Sequence, residues 1–385
     1  MGTEPAINST DVADASNVQL TQEAEKYYAA SQWQLIWWRF RKHRAARVAG
    51  IVLLCMYFMA IFAGFLAPYS PTQRHTRYAF APPQRVRLID SEGKFHLRPF
   101  VYGLKSERDP NTFELRFATD YHKIYPIHFF VRGASYKLFG IVESDIHLFG
   151  ALDSSAPLFL FGTDRLGRDL LSRIIFGSQI SLSIGLVGVF LSYLLGLMLG
   201  GISGYYGGTV DTIIQRIIEM IQVFPTVPLW LALSAAIPST WSQLQVYFAI
   251  VVILSFVGWT SLARVVRGKL LSLRDEGFVT AARLSGASSG YLIRRHLLPS
   301  FTSHIIVAIT LSIPGMILGE TSLSFLGLGL QAPAISWGVL LRDAQNVQTV
   351  AMHPWLLLPV FFVIAVVLSF NFLGDGLRDA ADPYS

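Results

Sequence analysis

Residues 275–299 read DEGFVTAARLSGASSGYLIRRHLLP and lie between two long apolar runs. Asp275 is placed to cap a helix, with Glu276 in its first turn. Phe278, Ala281, Ala282 and Ser285 then recur at helical spacing. Gly286 is a natural helix stop. Ser288 or Ser289 can cap a second short helix, which runs to about Leu298 and ends at Pro299. The expectation is a helix–turn–helix lying across one face of a membrane. Ala281 and Ala282 let another backbone come close, and Phe278 beside them is sized to fill a pocket. Arg283, Arg294 and Arg295 suit acidic groups or phospholipid headgroups. Many plain loops carry a cap–glycine–cap pattern, so the rest of the chain has to supply its meaning.

The chain is 52% hydrophobic and 15% charged over 385 residues, against about 25% charged in ordinary soluble domains. With several apolar runs near spanning length, this reads as an all-α polytopic membrane protein. Six transmembrane helices are expected near 48–67, 180–202, 215–237, 246–266, 303–321 and 354–374. The net charge of +6 is read as basic cytoplasmic loops rather than nucleic-acid binding. Arg39, Arg41, Lys42, Arg44 and Arg47 precede the first run; Arg267, Lys269, Arg274, Arg283, Arg294 and Arg295 follow the fourth. An even number of crossings separates the two clusters, so both are expected to be cytoplasmic, as are both termini. The sole cysteine, Cys55, lies in an apolar run and is lipid-facing or packing bulk, so no internal disulfide forms. The first apolar run is long enough to span and reads as an anchor, not a cleaved signal.

Residues 1–23 are polar and acidic and read as a disordered cytoplasmic tail. Residues 24–47 read as an interfacial amphipathic helix, with Trp33, Trp37 and Phe40 at headgroup depth. Residues 70–160 alternate apolar and polar residues in RVRLID, KFHLRPFVYG, FELRFATD and YPIHFFVRG, with DSEGK as a hairpin turn. They form a small β-rich insert on the outer face, either a spacer or a docking surface. Ser192, Gly196, Gly200 and Gly204 make a small-residue stripe for a helix–helix contact. Arg216 and Glu219 are one turn apart and can pair. Pro225 and Pro228 bend the third run, as a structural kink or as a hinge in a substrate path. Asp164, Arg165, Arg168 and Asp169 either contact an external protein or pair among themselves and cap a helix. Glu320 either touches substrate in the path or lines the bundle. His296 and His304 have no metal-ligand company and read as polar packing.

The 275–299 segment resembles the EAA loop of ABC importer permeases, through Ala281, Ala282, Gly286, Leu298 and Pro299. Thr280 stands where that motif usually opens with an acidic residue. FGTDRLGRDLLSRIIFGSQISL (161–182), GETSLSFLGLGLQAPAISWG (319–338), LGDGLRDAADP (373–383) and WWRF (37–40) resemble segments of the second, C-type permease of the oligopeptide/dipeptide class. The resemblance covers most of 33–70 and of a core permease domain at 161–385, with a coupling loop at 267–299. It implies a type I importer permease of the bacterial inner membrane, forming half of a translocation path. It further implies a second homologous permease subunit, two ABC ATPase subunits and a periplasmic substrate-binding protein. Phe278, Thr280, Ala281, Ala282, Arg283, Gly286, Leu298 and Pro299 would then engage an ATPase. The sequence has no G-x-x-x-x-G-K-[ST] loop; Gly268-Lys269 lacks both the earlier glycine and a following Ser or Thr. ATP and Mg²⁺ are therefore expected on the partner ATPases, with no cofactor on this chain.

Three competing functions are weighed. The same machine could carry an oligosaccharide, an opine or nickel. GISG (201–204) matches the G-x-S-G of rhomboid-type intramembrane serine proteases, with Ser203 as nucleophile, but such a serine needs a base within reach. A passive channel would not need a helix–glycine–helix platform.

Overall fold

The computed structural model describes residues 31–108, 115–138, 140–153, 156–297 and 301–381. The tail expected at 1–23, residues 24–30 of the interfacial helix, and Leu298 and Pro299 of the coupling loop lie outside the described residues. Among the described residues, five helices are long and apolar enough to cross a membrane, and a sharply bent pair makes a sixth crossing if its two halves count as one.

Helix α1 (Gln32–Lys42) starts at Ser31, whose hydroxyl accepts from the Gln34 N–H while the Gln34 side chain returns to the Ser31 N–H. A single helix was expected through 47. Instead His43 ends α1 and caps α2 (Arg44–Ile61), its Nδ1 accepting from Ala46 N–H at 3.0 Å. The first span thus starts earlier than 48 and breaks at Phe62, before a short turn α3 (Ala63–Leu66). Cys55 is exposed along α2.

Among the described residues between Arg87 and Gly150 lie five strands: β1 (Arg87–Ile89), β2 (Phe95–Arg108), β3 (Leu115–Pro126), β4 (His128–Leu138) and β5 (Val142–Gly150). The first three form one antiparallel sheet and the last two a hairpin. DSEGK is the β1–β2 turn: the Asp90 carboxylate accepts from the N–H groups of Glu92 and Lys94, and Gly93 supplies φ +83°. Strand β5 was not anticipated. Its His147 is buried against the end of α3, with Nδ1 2.6 Å from the Ala67 carbonyl. The insert is thereby fastened to the first span.

Helix α4 (Leu170–Tyr206) has 37 residues, well beyond the 180–202 expected. At 1.5 Å per residue it runs about 55 Å, so it projects past a hydrocarbon core about 30 Å thick. Hydropathy misses its first turns because Ser172, Arg173 and Ser178 are polar yet buried in protein. Helix α5 (Gly208–Val223) and helix α6 (Thr226–Ala235) meet at 85°, where one span at 215–237 was expected. Pro225 has no N–H to give and forces Phe224 into extended backbone (φ −80°, ψ 133°). Helix α7 (Gln243–Leu273) carries Arg267 and Lys269, which had been assigned to a loop starting at 267. Short helices α8 (Gly277–Leu284) and α9 (Ser289–Tyr291) follow, then a π-helical turn at Leu292–Leu297. Helix α10 (Thr302–Phe325), α11 (Trp337–Arg342), α12 (Val347–Met352) and α13 (Leu358–Ala381) complete the chain.

The bundle is built on the α4–α7 contact, and the small-residue stripe explains it. A Cβ on Gly196 would lie 2.9 Å from Leu262 Cβ, on Gly200 2.5 Å from the Ala263 carbonyl oxygen, and on Gly204 2.8 Å from Leu270 Cβ. Lipid supplies no hydrophobic drive between helices, so this close backbone approach is the packing energy. Ser192, at the end of the stripe, donates to the Ser255 carbonyl of α7.

Candidate functional site

The 275–297 stretch forms a platform whose underside is greasy and whose top is bare. Glu276, not Asp275, holds the N-cap position of α8, and it makes no side-chain cap bond. Asp275 instead faces Arg274 at 3.3 Å. The end of α8 is a full Schellman closure: Gly286 N–H donates to the Arg283 carbonyl and Ala287 N–H to the Ala282 carbonyl, with Gly286 at φ +83°. Ser288 then caps α9, its hydroxyl accepting from Tyr291 N–H. The second helix is only a short α turn continued as a π turn, not one regular helix. Val279, Leu292 and Leu297 are buried beneath the platform against Leu262, Val266 and Leu270 of α7 and Ile305 of α10. Phe278, Thr280, Ala281, Arg283 and Gly286 are exposed, Leu284 is 85% exposed, and Ala282 is half-buried. The Arg283 guanidinium lies 5.9 Å from the Tyr205 ring centre, at the end of α4.

Beside the platform, Asp211 of α5 takes a bidentate pair of bonds from Arg267 of α7, both at 2.5 Å. The same carboxylate accepts from the Ser203 hydroxyl, which in turn accepts from Gln215. Ser203 is thus a fully buried strut in a structural network, with Asp211 rather than an imidazole as its acceptor. Arg216 and Glu219 pair at 2.7 Å on the exposed side of α5.

A cavity of about 510 Å³ opens in the bundle between α4, the α5–α6 bend, α7 and α10. Ser192, Gln222, Thr226, Trp230, Thr260, Ser261 and Ser312 are its polar walls. Gln222 donates to Thr260 across the α5–α7 gap at 2.9 Å. Pro225 forms the bend, and its successor Thr226 lines the cavity. Glu320, expected on the path, does not line this cavity. It is fully buried in α10, where Ser336 and Ser324 donate to Oε1 at 2.6 and 2.8 Å and Ser181 to Oε2 at 3.4 Å. Ser181 also accepts from Trp337 N–H, so Glu320 ties α10 to α4 and to the start of α11. The sequence reading missed the cavity walls. Their signal was present: Gln222 and Thr226, four residues apart, interrupt an apolar run.

In the GTDRLGRD loop the carboxylates pair and cap within the chain. Asp164 is 1% exposed and accepts from Leu166 N–H, Arg168 N–H and Arg168 Nε at 2.8, 3.0 and 2.7 Å, and from Arg173. Asp169 is buried and caps α4, accepting from the Ser172 N–H and hydroxyl at 2.7 and 2.6 Å. Burial raises the Asp169 carboxyl to about 7, against those two bonds, which favour its charged form. Neither carboxylate is available to another protein. Arg165 is exposed and Arg168 is mostly covered.

The chain is similar to known proteins over most of its length. Residues 192–384 match the model of the binding-protein-dependent transport system inner membrane component, and residues 31–83 that of the N-terminal TM domain of oligopeptide transport permease C. The chain is 40% identical over 242 residues to the oligopeptide transport system permease protein OppC of Haemophilus influenzae, covering 63% of this chain and 75% of that one. It is 40% identical over 225 residues to the dipeptide transport system permease protein DppC of Bacillus subtilis, covering 58% and 68%. Against OppC of Escherichia coli it is 41% identical over 238 residues, covering 60% and 76%. The chain is a transport subunit and not an enzyme. It belongs to the inner-membrane permease components of binding-protein-dependent ABC transport systems, among the C-type permeases of the oligopeptide and dipeptide class.

Proposed function

We propose that this chain forms half of the translocation path of an ATP-driven peptide importer, and that an ATPase subunit takes hold of it at the α8–α9 platform. The second half of the path comes from a homologous permease. Two cytoplasmic ABC ATPases bind ATP and Mg²⁺, and a substrate-binding protein delivers cargo to the outer face, where the insert at 70–160 also lies. The names of the relatives favour peptide over oligosaccharide, opine or nickel as cargo.

The observation that carries the reading is the two-sidedness of the platform. Its top offers Phe278 and Leu284 next to Ala281, a side chain for a pocket and a small patch for close backbone approach. Its underside is locked onto both α7 and α10 through Val279, Leu292 and Leu297. A push on α8 therefore reaches two spanning helices that wall the cavity. Nucleotide-driven closure of the ATPases would shift the bundle between two arrangements with the path open on opposite sides. Thr280 is uncharged, so the grip on the ATPase does not use an ion pair at that position.

The test is co-purification of the chain with its two ATPases and second permease, followed by uptake into proteoliposomes. Phe278→Ala is expected to release the ATPases, and Gly286→Val to keep them bound and hydrolysing while uptake stops. Full binding-protein-stimulated uptake by both variants, or labelling of Arg283→Cys only from outside the cell, overturns the reading.

A further inference from the structure

The β-rich insert has two hairpin turns of opposite character. DSEGK, between β1 and β2, is polar, as a turn in water should be. The β4–β5 turn at 138–142 reads LFGIV. It is well formed: Ile141 N–H donates to the Leu138 carbonyl at 3.1 Å, and Gly140 takes φ +72°. Yet Ile141 is 83% and Val142 56% exposed. A bare apolar tip in water is unfavourable, and nothing within the chain offsets it.

The fold carries this tip down beside the first span. Uppermost, His147 of β5 meets the Ala67 carbonyl. Below it the Tyr136 ring packs so tightly on Gly64 that a Cβ there would collide with it. Lowest, Leu138 and Gly140 line a groove of about 420 Å³ together with Ile61 of α2 and Phe176 and Gln179 of α4. The contacts thus step from Ala67 through Gly64 to Ile61, toward the middle of the span. From Val48 to Ile61 the helix α2 rises about 20 Å. The hydrocarbon core is about 30 Å thick, so Ile61 lies up to about 10 Å inside its edge on the insert's side. Gln179 directly precedes the apolar stretch of α4 at 180–202 and marks the same edge from a second helix. Both helices place the tip at the headgroup–acyl boundary of one leaflet.

The residues behind the tip suit that depth. Lys137 and Glu143 stand opposite each other across the hairpin, pair at 3.3 Å and are exposed. Long side chains with charged ends belong where acyl chains give way to headgroups. A protein covering the tip would have to satisfy both charges as well as the apolar side chains.

We infer that the β4–β5 tip is a lipid anchor: Ile141 and Val142 enter the acyl chains of the leaflet on the insert's side, and the Lys137–Glu143 pair rests among the headgroups. So small a tip holds a membrane weakly by itself. Here the hairpin is already fastened to the first span, and the lipid contact is a second fixed point. It stops the insert from turning about the His147–Ala67 contact and so sets its angle to the membrane, whichever cargo the importer carries.

The experiment uses the complete importer in nanodiscs of phosphatidylethanolamine and phosphatidylglycerol. Ile141→Cys, in a Cys55→Ser background, carries an environment-sensitive fluorophore; the Cys55→Ser importer labelled in parallel gives the background from the other subunits. Val142→Cys is an independent second site, and Leu97→Cys, at a position 92% exposed on β2, is the aqueous control. Binding-protein-stimulated ATP hydrolysis reports assembly. Lipid bearing a nitroxide near the top of its acyl chain should quench the probes at 141 and 142 by about twofold and leave that at 97 unchanged, while aqueous iodide should do the reverse. Adding Ile141→Asp to the Val142→Cys chain should abolish most of the lipid quenching with ATP hydrolysis retained. Iodide access at 141 and 142 equal to that at 97 overturns the anchor. So does shielding from both quenchers, which would mean that the second permease or another protein covers the tip. Lipid quenching at 142 undiminished by Ile141→Asp overturns it as well.

Discussion

The GTDRLGRD loop and the 275–297 platform are both short, charged and joined to a long apolar helix, yet the fold treats them in opposite ways. In the first, Asp164 and Asp169 turn inward, and every bond they make serves the chain itself. In the second, Val279 and Leu297 turn inward while Phe278, Leu284 and the arginine at 283 stay outside. A charged motif beside a membrane span is therefore no guide to a binding surface. What separates the two is where the apolar residues go. A loop whose one apolar residue is Leu166 has little but its charges to bury, whereas an amphipathic helix is fixed by its apolar side and leaves the rest free.

That contrast predicts a graded series of effects. The largest should come from Asp164→Ala, which strips the buried Arg173 of its paired carboxylate; about 3–5 kcal/mol is expected from breaking a buried pair in this way. Yield of folded protein and thermal unfolding in detergent measure it, and an unchanged melting temperature would mean that the loop is not a lock. Next is Gly200→Val in the bundle. The added Cβ falls 2.5 Å from the Ala263 carbonyl oxygen, and forcing α4 and α7 apart should cost about 3 kcal/mol. Gly286→Val is smaller, because nothing lies within 4 Å of the added Cβ and only the φ of +83° is strained; about 1–2 kcal/mol is expected. Its effect on uptake should far exceed its effect on melting. Phe278→Ala comes last in stability, within about 0.5 kcal/mol as for other exposed positions, although ATPase co-purification should be lost. If Phe278→Ala melted the protein and Asp164→Ala did not, the assignment of lock and handle would be reversed.

The same contrast explains what could be read in advance. The α8 stop at Gly286 was legible, because a glycine after a periodic run is a local signal and the Schellman bonds are made within six residues. The Ser288 cap was legible for the same reason. The Asp275 cap was misassigned, since Asp275 and Glu276 are both acidic and only the path of the chain leaving α7 decides which one sits at the helix start. The break at Pro225 was foreseeable from proline chemistry, but the 85° angle was not, because it depends on what α5 and α6 each pack against. Glu320 was singled out as an unusual carboxylate, and it is unusual; the sequence did not reveal that Ser181, 139 residues away, and Ser336, 16 residues on, converge on it. Strand β5 was legible but passed over: in VESDIHLFG, Glu143, Asp145 and His147 share one face and Val142, Ile146 and Leu148 the other, and the strand holds its place by pairing with β4 and by the His147–Ala67 contact.

The amino-acid order alone determined that this is a multi-span membrane chain, where its helices lie to within a few turns, and that residues 275–297 fold as a stopped and restarted helix. These follow from hydropathy, caps and glycine, all of which act over a few neighbouring residues. Tertiary structure alone decided which charges are hidden, which polar side chains meet around the cavity, and which face of the platform is bare. Those outcomes depend on groups brought together from α4, α7 and α10, and the free energy of a polar group is set by the partners it finds at the end of folding, not by its neighbours in sequence.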